Sequence, residues 1–130
     1  MCESVPNNVG KHYLIDIFEA DREKLLFVND TQKLLEQIVK THGLTSLNSG
    51  YKQFQPFGTS GFILLSESHI SAHTWPEHNT VALDIFSCEQ IIDDQSLVKF
   101  LKEFYKTDIV ELKVIVRGQR SQMKQSKDSK

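Results

Sequence analysis

Two stretches of this chain carry one apolar stripe each at helical spacing, and both stripes need a surface to cover. In the first, Leu34, Leu35, Ile38 and Val39 recur on one face, Asn29-Asp30-Thr31 can cap the start, and Gly43 is a suitable stop. In the second, Asp93-Asp94 precede Leu97, Val98, Leu101, Phe104 and Tyr105 on one side. The rest of the patterned chain reads as strand. Residues 11–18 (KHYLIDIF) are rich in strand formers, 44–54 are a weaker candidate, and Pro56 and Gly58 mark a turn. Residues 61–70 and 81–88 are the most strand-like runs, separated by the Pro76/Asn79 turn region. Residues 109–116 close the chain, with Val110, Leu112, Val114 and Val116 alternating onto one face. The expected order is strand, helix, three strands, helix, strand. The simplest architecture is α+β: a two-layer α/β sandwich, its mostly antiparallel sheet carrying both helices packed on one face. The other face is left to meet solvent, a ligand or a second subunit.

A length of 130 residues fits one compact domain. The longest apolar run, residues 61–65, falls far short of the roughly 20 residues that a membrane-spanning helix needs. The opening MCESVPNNVGKHY has neither a basic nor an apolar region of the secretory kind. Two cysteines, Cys2 and Cys88, cannot build a disulfide scaffold, so the expectation is a reduced, cytoplasmic protein. The net charge of −2 is unevenly spread. Residues 117–130 hold five basic groups and one acid, which leaves −6 on residues 1–116. An acidic body tolerates a cationic substrate and disfavours nucleic acid as the main partner. The Ser/Gln/Lys-rich stretch 117–130 has no periodicity and is expected to be a disordered basic tail.

The chemistry concentrates in residues 54–89. This segment holds three of the five histidines, the single tryptophan, one cysteine and five serines. Titratable groups and small nucleophiles between apolar strands are costly to bury without a purpose. Three readings compete. His69, His73 and Cys88, with Glu77, could form a metal site, although zinc sites usually show tighter Cys/His pairing. A serine or Cys88 could be a nucleophile activated by a histidine. The polar residues could equally be satisfied groups in a turn. Spacing alone leaves all three open.

The run Ser66-Glu67-Ser68-His69-Ile70-Ser71-Ala72-His73-Thr74-Trp75-Pro76-Glu77 resembles the signature of the prokaryotic S-adenosylmethionine decarboxylases, which are self-processing, pyruvoyl-dependent enzymes. The resemblance extends to Asp84-Ile85-Phe86-Ser87-Cys88, to Gly58-Thr59-Ser60-Gly61 and to Gly10-Lys11-His12, covering roughly residues 10–116. It implies self-cleavage between Glu67 and Ser68 into chains 1–67 and 68–130, with Ser68 Oγ attacking the Glu67 carbonyl. Loss of the Ser68 α-proton then leads to a pyruvoyl group at the head of the second chain. That group forms a Schiff base with the substrate amine and acts as electron sink, so neither pyridoxal phosphate nor a metal is expected. The product would be the aminopropyl donor for spermidine synthesis.

The same resemblance implies the roles of the remaining residues. Ser60 would stabilise the oxyanion of the acyl shift. His73 would be the processing base, and Cys88 the proton donor after decarboxylation. Glu77 would accept hydrogen bonds from the ribose hydroxyls, and Phe54 would stack on adenine. His69 directly follows the pyruvoyl, and structural and catalytic readings of it stand side by side. Trp75 is assigned to packing. A homodimer of processed protomers is expected from the family.

Three positions depart from the family pattern: His78-Asn79-Thr80-Val81 after the glutamate, Glu89 after Cys88, and Ala20. The first two flank the pocket. They keep a second reading alive, the same machinery acting on arginine or ornithine. A non-catalytic regulatory homologue would have lost Ser68, His73 or Cys88, and all three are present.

Overall fold

A computed structural model describes residues 9–88 and 92–120. Its elements run β1 (Gly10–Phe18), α1 (Val28–Thr41), β2 (Ser46–Gln53), β3 (Thr59–Leu65), β4 (Ser68–Trp75), β5 (Thr80–Ser87), α2 (Asp94–Tyr105) and β6 (Ile109–Arg117). Short 3-10 turns occupy Arg22–Lys24 and Pro76–His78. The strands form one sheet in the order β2-β3-β4-β5-β1-β6, and every neighbouring pair is antiparallel. The α+β expectation holds, with one more strand than expected.

That extra strand comes from the run 61–70, which is not continuous. It breaks at Ser66-Glu67 into a hairpin between β3 and β4. No Gly, Pro or Asn marks the break, and Ser66 and Ser68 give only a weak turn signal. In consequence the segment from His69 to Trp75 is strand, and only Pro76–His78 turns.

The helices differ less from expectation. Helix α1 begins at Val28, ahead of the expected Asn29-Asp30-Thr31 cap, and Phe27 at the N-cap position makes no side-chain hydrogen bond. Gln53 supplies the cap from outside the helix, its Oε1 accepting the Val28 N–H at 2.9 Å. The stop at Gly43 is a Schellman arrangement. Gly43 has φ +65°, its N–H reaches Lys40 O, and the Leu44 N–H reaches Val39 O at 2.9 Å. Helix α2 is capped by Asp93, whose carboxylate accepts the Gln95 N–H.

Both stripes meet one face of the sheet. Leu34, Leu35 and Ile38 of α1 and Leu97, Leu101 and Tyr105 of α2 are fully buried against Tyr13, Ile15, Ile17, Ile63, Ile70, Leu83 and Ile85. The period-two alternation of the strands sends the intervening residues to the opposite, open face. On β6, at the sheet edge, Val110 and Leu112 are half-buried while Val114 and Val116 are exposed. Arg117 ends this strand, one residue beyond the boundary expected for the basic tail; residues 121–130 lie outside those described. No helix among the described residues is long and apolar enough to cross a membrane.

Leu101 tests the shared core. It is fully buried between the layers, so Leu101→Ala should destabilise the protein by about 2–5 kcal/mol, read as a lower urea midpoint with unchanged slope.

Candidate active site

The open face is organised by register. Across β3, β4, β5 and β1, one row holds Leu64, His69, Phe86 and His12, and the next holds Phe62, Ser71, Asp84 and Leu14. A third row places Ser60 beside His73. The sequence-predicted residues therefore fall into two groups at opposite ends of β4.

The first group surrounds the Glu67–Ser68 peptide. The Glu67 carbonyl oxygen accepts the backbone N–H of Cys88 at 3.1 Å, and Cys88 Sγ lies 3.1 Å from the same oxygen. The Cys88 N–H polarises this carbonyl oxygen and marks where negative charge would build on attack. The hairpin is held locally as well: Glu67 Oε1 accepts the Thr45 N–H at 3.1 Å, and the Ser66 N–H reaches Thr45 O. Ser68 itself has φ +156°, a conformation that L-residues rarely adopt. Gly10 lets β1 close on this end of the sheet, because a Cβ there would sit 2.6 Å from Ser87 O and 3.0 Å from the Cys88 Cα. Cys88 is disulfide-bonded, which departs from the reduced state expected of the sequence. Nothing in the spacing of two cysteines signals such a bond, and a proton-donating Cys88 requires the thiol. Glu89, one of the departures from the family pattern, lies outside the described residues.

The second group surrounds Ser60. Its Oγ lies 2.7 Å from His73 Nδ1 in a hydrogen bond. Phe54, Phe57, Gly58, Trp75, Pro76 and Glu77 complete a cleft of about 280 Å³. A buried threonine chain fixes its floor. Thr59 Oγ1 meets Thr31 Oγ1 at 2.6 Å, the Thr59 N–H donates to Thr74 Oγ1 at 2.9 Å, and Thr74 donates to Leu25 O at 2.8 Å. Phe54 and Trp75 are both substantially exposed at the cleft, which suits a flat aromatic ligand.

One chain does not bring the two groups together. Ser68 and His73 are five residues apart along β4, about 16 Å at the rise of a strand. His69 and His73 share the open face but sit two register rows apart, so the metal set His69, His73, Cys88 and Glu77 does not assemble. Among the described residues the one cluster with metal-ligand spacing is His12, His69 and Asp84.

Sequence reasoning gave no role to His12, Asp84, Ser71 or Arg117. Asp84 accepts from His12 Nε2 at 2.6 Å, lies 3.4 Å from His69 Nε2, and takes the Ser71 hydroxyl on its other oxygen. The available signal was a carboxylate in an otherwise apolar strand, between Leu83 and Ile85. Burial pushes the Asp84 carboxyl up, but the Ser71 hydroxyl and the two imidazoles outweigh it and hold the group below the ordinary aspartate range.

The fold and its geometry have solved counterparts. A crystal structure of the adenosylmethionine decarboxylase from Aquifex aeolicus superposes with a TM-score of 0.77 at 34% identity, covering 89% of this chain and 96% of that one. The two-layer scaffold with its polar open face is thus that of a decarboxylase class. A sequence model of the S-adenosylmethionine decarboxylase family matches residues 11–118. The S-adenosylmethionine decarboxylase proenzyme of Persephonella marina is 39% identical over 110 residues, 85% of this chain and 83% of that protein. That of Thermotoga maritima is 32% identical over 122 residues, 94% of each chain. The chain belongs to the S-adenosylmethionine decarboxylase family.

The sign of the Asp84 shift makes a prediction. A carboxyl whose folded pKa is depressed adds stability above its unfolded value, near about 3.9, and that stability is lost as pH falls through the folded value. Asp84→Asn should flatten the acid limb of a stability-against-pH curve in that window and leave its shape near neutrality unchanged.

Proposed function

We propose that this chain is a proenzyme that cleaves itself at Glu67–Ser68 and then decarboxylates S-adenosylmethionine to the aminopropyl donor of spermidine synthesis. The observation that carries the reading is the Glu67 carbonyl, held by the Cys88 backbone at a hairpin where Ser68 is strained, in a chain of this family. Strain at residue 68 raises the starting state, and the Cys88 N–H at the carbonyl lowers the charged intermediate. The residues around position 68 suit a pyruvoyl group made from Ser68. That group supplies an electron sink for the carbanion left by loss of carbon dioxide. The protein's own side chains then have simple tasks. Cys88, as a thiol, returns a proton to the substrate carbon. Glu77 takes ribose hydroxyls at the mouth of the cleft, and Phe54 offers its face to adenine. Retention of Glu77 and the names of the relatives favour the nucleoside substrate over arginine or ornithine.

The separation of the two groups supports a homodimer in which each site is shared. Ser60 and His73 of one protomer serve the Glu67–Ser68 peptide of the other when two open faces pack with their β4 strands running in opposite directions. A two-fold axis makes both contacts at once. Phe62 and Leu64, each 46% exposed on that face, are then covered.

Labelled carbon dioxide should be released from carboxyl-labelled S-adenosylmethionine and not from arginine or ornithine; release from a basic amino acid alone would overturn the substrate. Glu77→Gln should raise KM by about 10- to 100-fold, the cost of hydrogen bonds to a charged acceptor, with a smaller effect on kcat. Ser68→Ala and His73→Ala should each be uncleaved alone. Co-expressed, they should form a heterodimer with one intact site, in which only the His73→Ala chain is cleaved. Failure to complement would refute the shared site.

A further inference from the structure

The proposed reaction leaves one group on the open face unused. Arg117 Nη1 lies 3.2 Å from His12 Nδ1, and His12 Nε2 lies 2.6 Å from Asp84 Oδ2. A guanidinium only donates, so His12 Nδ1 accepts and its proton sits on Nε2, facing Asp84. Asp84 Oδ1 accepts the Ser71 hydroxyl, and Oδ2 is shared with His69 Nε2 at 3.4 Å. The donor atoms of His12, His69 and Asp84 lie within 4.8 Å of one another, as in a two-histidine, one-carboxylate metal site. Arg117 opposes that use. A metal on His12 Nε2 would move the ring proton to Nδ1, against a group that cannot accept it. Asp84 is instead an anion surrounded by donors.

His69 is the member of this network nearest the chemistry. It follows Ser68 directly, and its side chain is 42% exposed against 17% for His12. With Nε2 donating to Asp84, its Nδ1 keeps a lone pair and has no hydrogen-bond partner among the described residues. We propose that Asp84 is a positioning residue that holds the His69 ring in the Nε2–H form beside the group made from Ser68. His69 Nδ1 is then the base that receives a proton from the substrate's α-ammonium. The N–H bond of the ammonium breaks, an N–H bond forms on the imidazole, and the free amine is able to add to a carbonyl. The imidazolium so formed faces the Asp84 carboxylate, which strengthens the bond that is long in the resting state. His12 keeps Arg117 from neutralising Asp84 directly, and Ser71 fixes the carboxylate plane. This role rests on the decarboxylase reading above.

The test uses the processed dimer labelled with nitrogen-15 and long-range proton–nitrogen correlations of the histidine rings. The wild type should show His69 protonated at Nε2, and Asp84→Ala should show a mixture of tautomers. On material whose cleavage is confirmed by denaturing gel, Asp84→Ala and His69→Ala should each lower kcat by about tenfold or more, with KM nearly unchanged. The double variant should lose no more than either single one, and Asp84→Glu should recover part of the rate. If Asp84→Ala fails to fold or cleave, Asp84→Asn and the wild-type tautomer decide the matter. His69 protonated at Nδ1 in the wild type, or losses that multiply, would overturn the proposal. A wild type that releases no carbon dioxide would overturn the decarboxylase reading instead, while the tautomer still reports on Asp84 and His69.

Discussion

Side chains on a strand alternate between the faces of a sheet, and the rest of this structure depends on that alternation in β4. Ile70, Ala72 and Thr74 point into the core that both helices cover, while His69, Ser71, His73 and Trp75 stand on the open face. Because α1 and α2 bury their stripes on the same side, the polar residues are never asked to share the apolar layer. A one-residue slip in β4 would put three polar rings in the core and expose Ile70 and Ala72, so register is strongly specified. The glycines defend it where strands approach most closely. A Cβ at Gly61 would lie 2.5 Å from the Tyr51 ring, across the β2–β3 pair that carries Ser60.

The same strand sets a length scale. Its N-terminal end carries the Glu67–Ser68 peptide beside Cys88, and its C-terminal end leads to the cleft with Ser60, His73 and Glu77. A rigid strand holds these groups apart in one chain, and the proposed cleavage at its end would not shorten it. In the proposed dimer, two copies related by a two-fold axis would place each end against the other's opposite end. The open face, with Phe62 and Leu64 among its polar groups, is the surface available for that pairing.

Much of this was legible in the sequence, for physical reasons. Helices declare themselves over many residues, so α1 and α2 were found, with the start of α1 misplaced only because Gln53, distant in sequence, supplies the cap. Ser68, His73 and Cys88 were singled out by the resemblance of residues 66–77 and 84–88 to the family signature, since spacing alone left three readings open. The hairpin at Ser66-Glu67 was missed because strain at Ser68 takes the place of a glycine there. The Asp84 network was missed because its members, His12, His69, Ser71, Asp84 and Arg117, come from four strands and meet only through register. Likewise, no local pattern could show that Ser60 pairs with His73, thirteen residues away, and not with Ser68, which is nearer in sequence.

The central claim is that the peptide held by Cys88 is broken by its own serine. Intact-mass spectrometry of the purified wild-type protein under reducing conditions tests this most directly. The account predicts two chains, 1–67 ending in a free carboxylate and 68–130 beginning with a carbonyl that reacts with hydrazine. A single uncleaved chain of 14.9 kDa, or a cut elsewhere with an ordinary serine amine at its head, would contradict it.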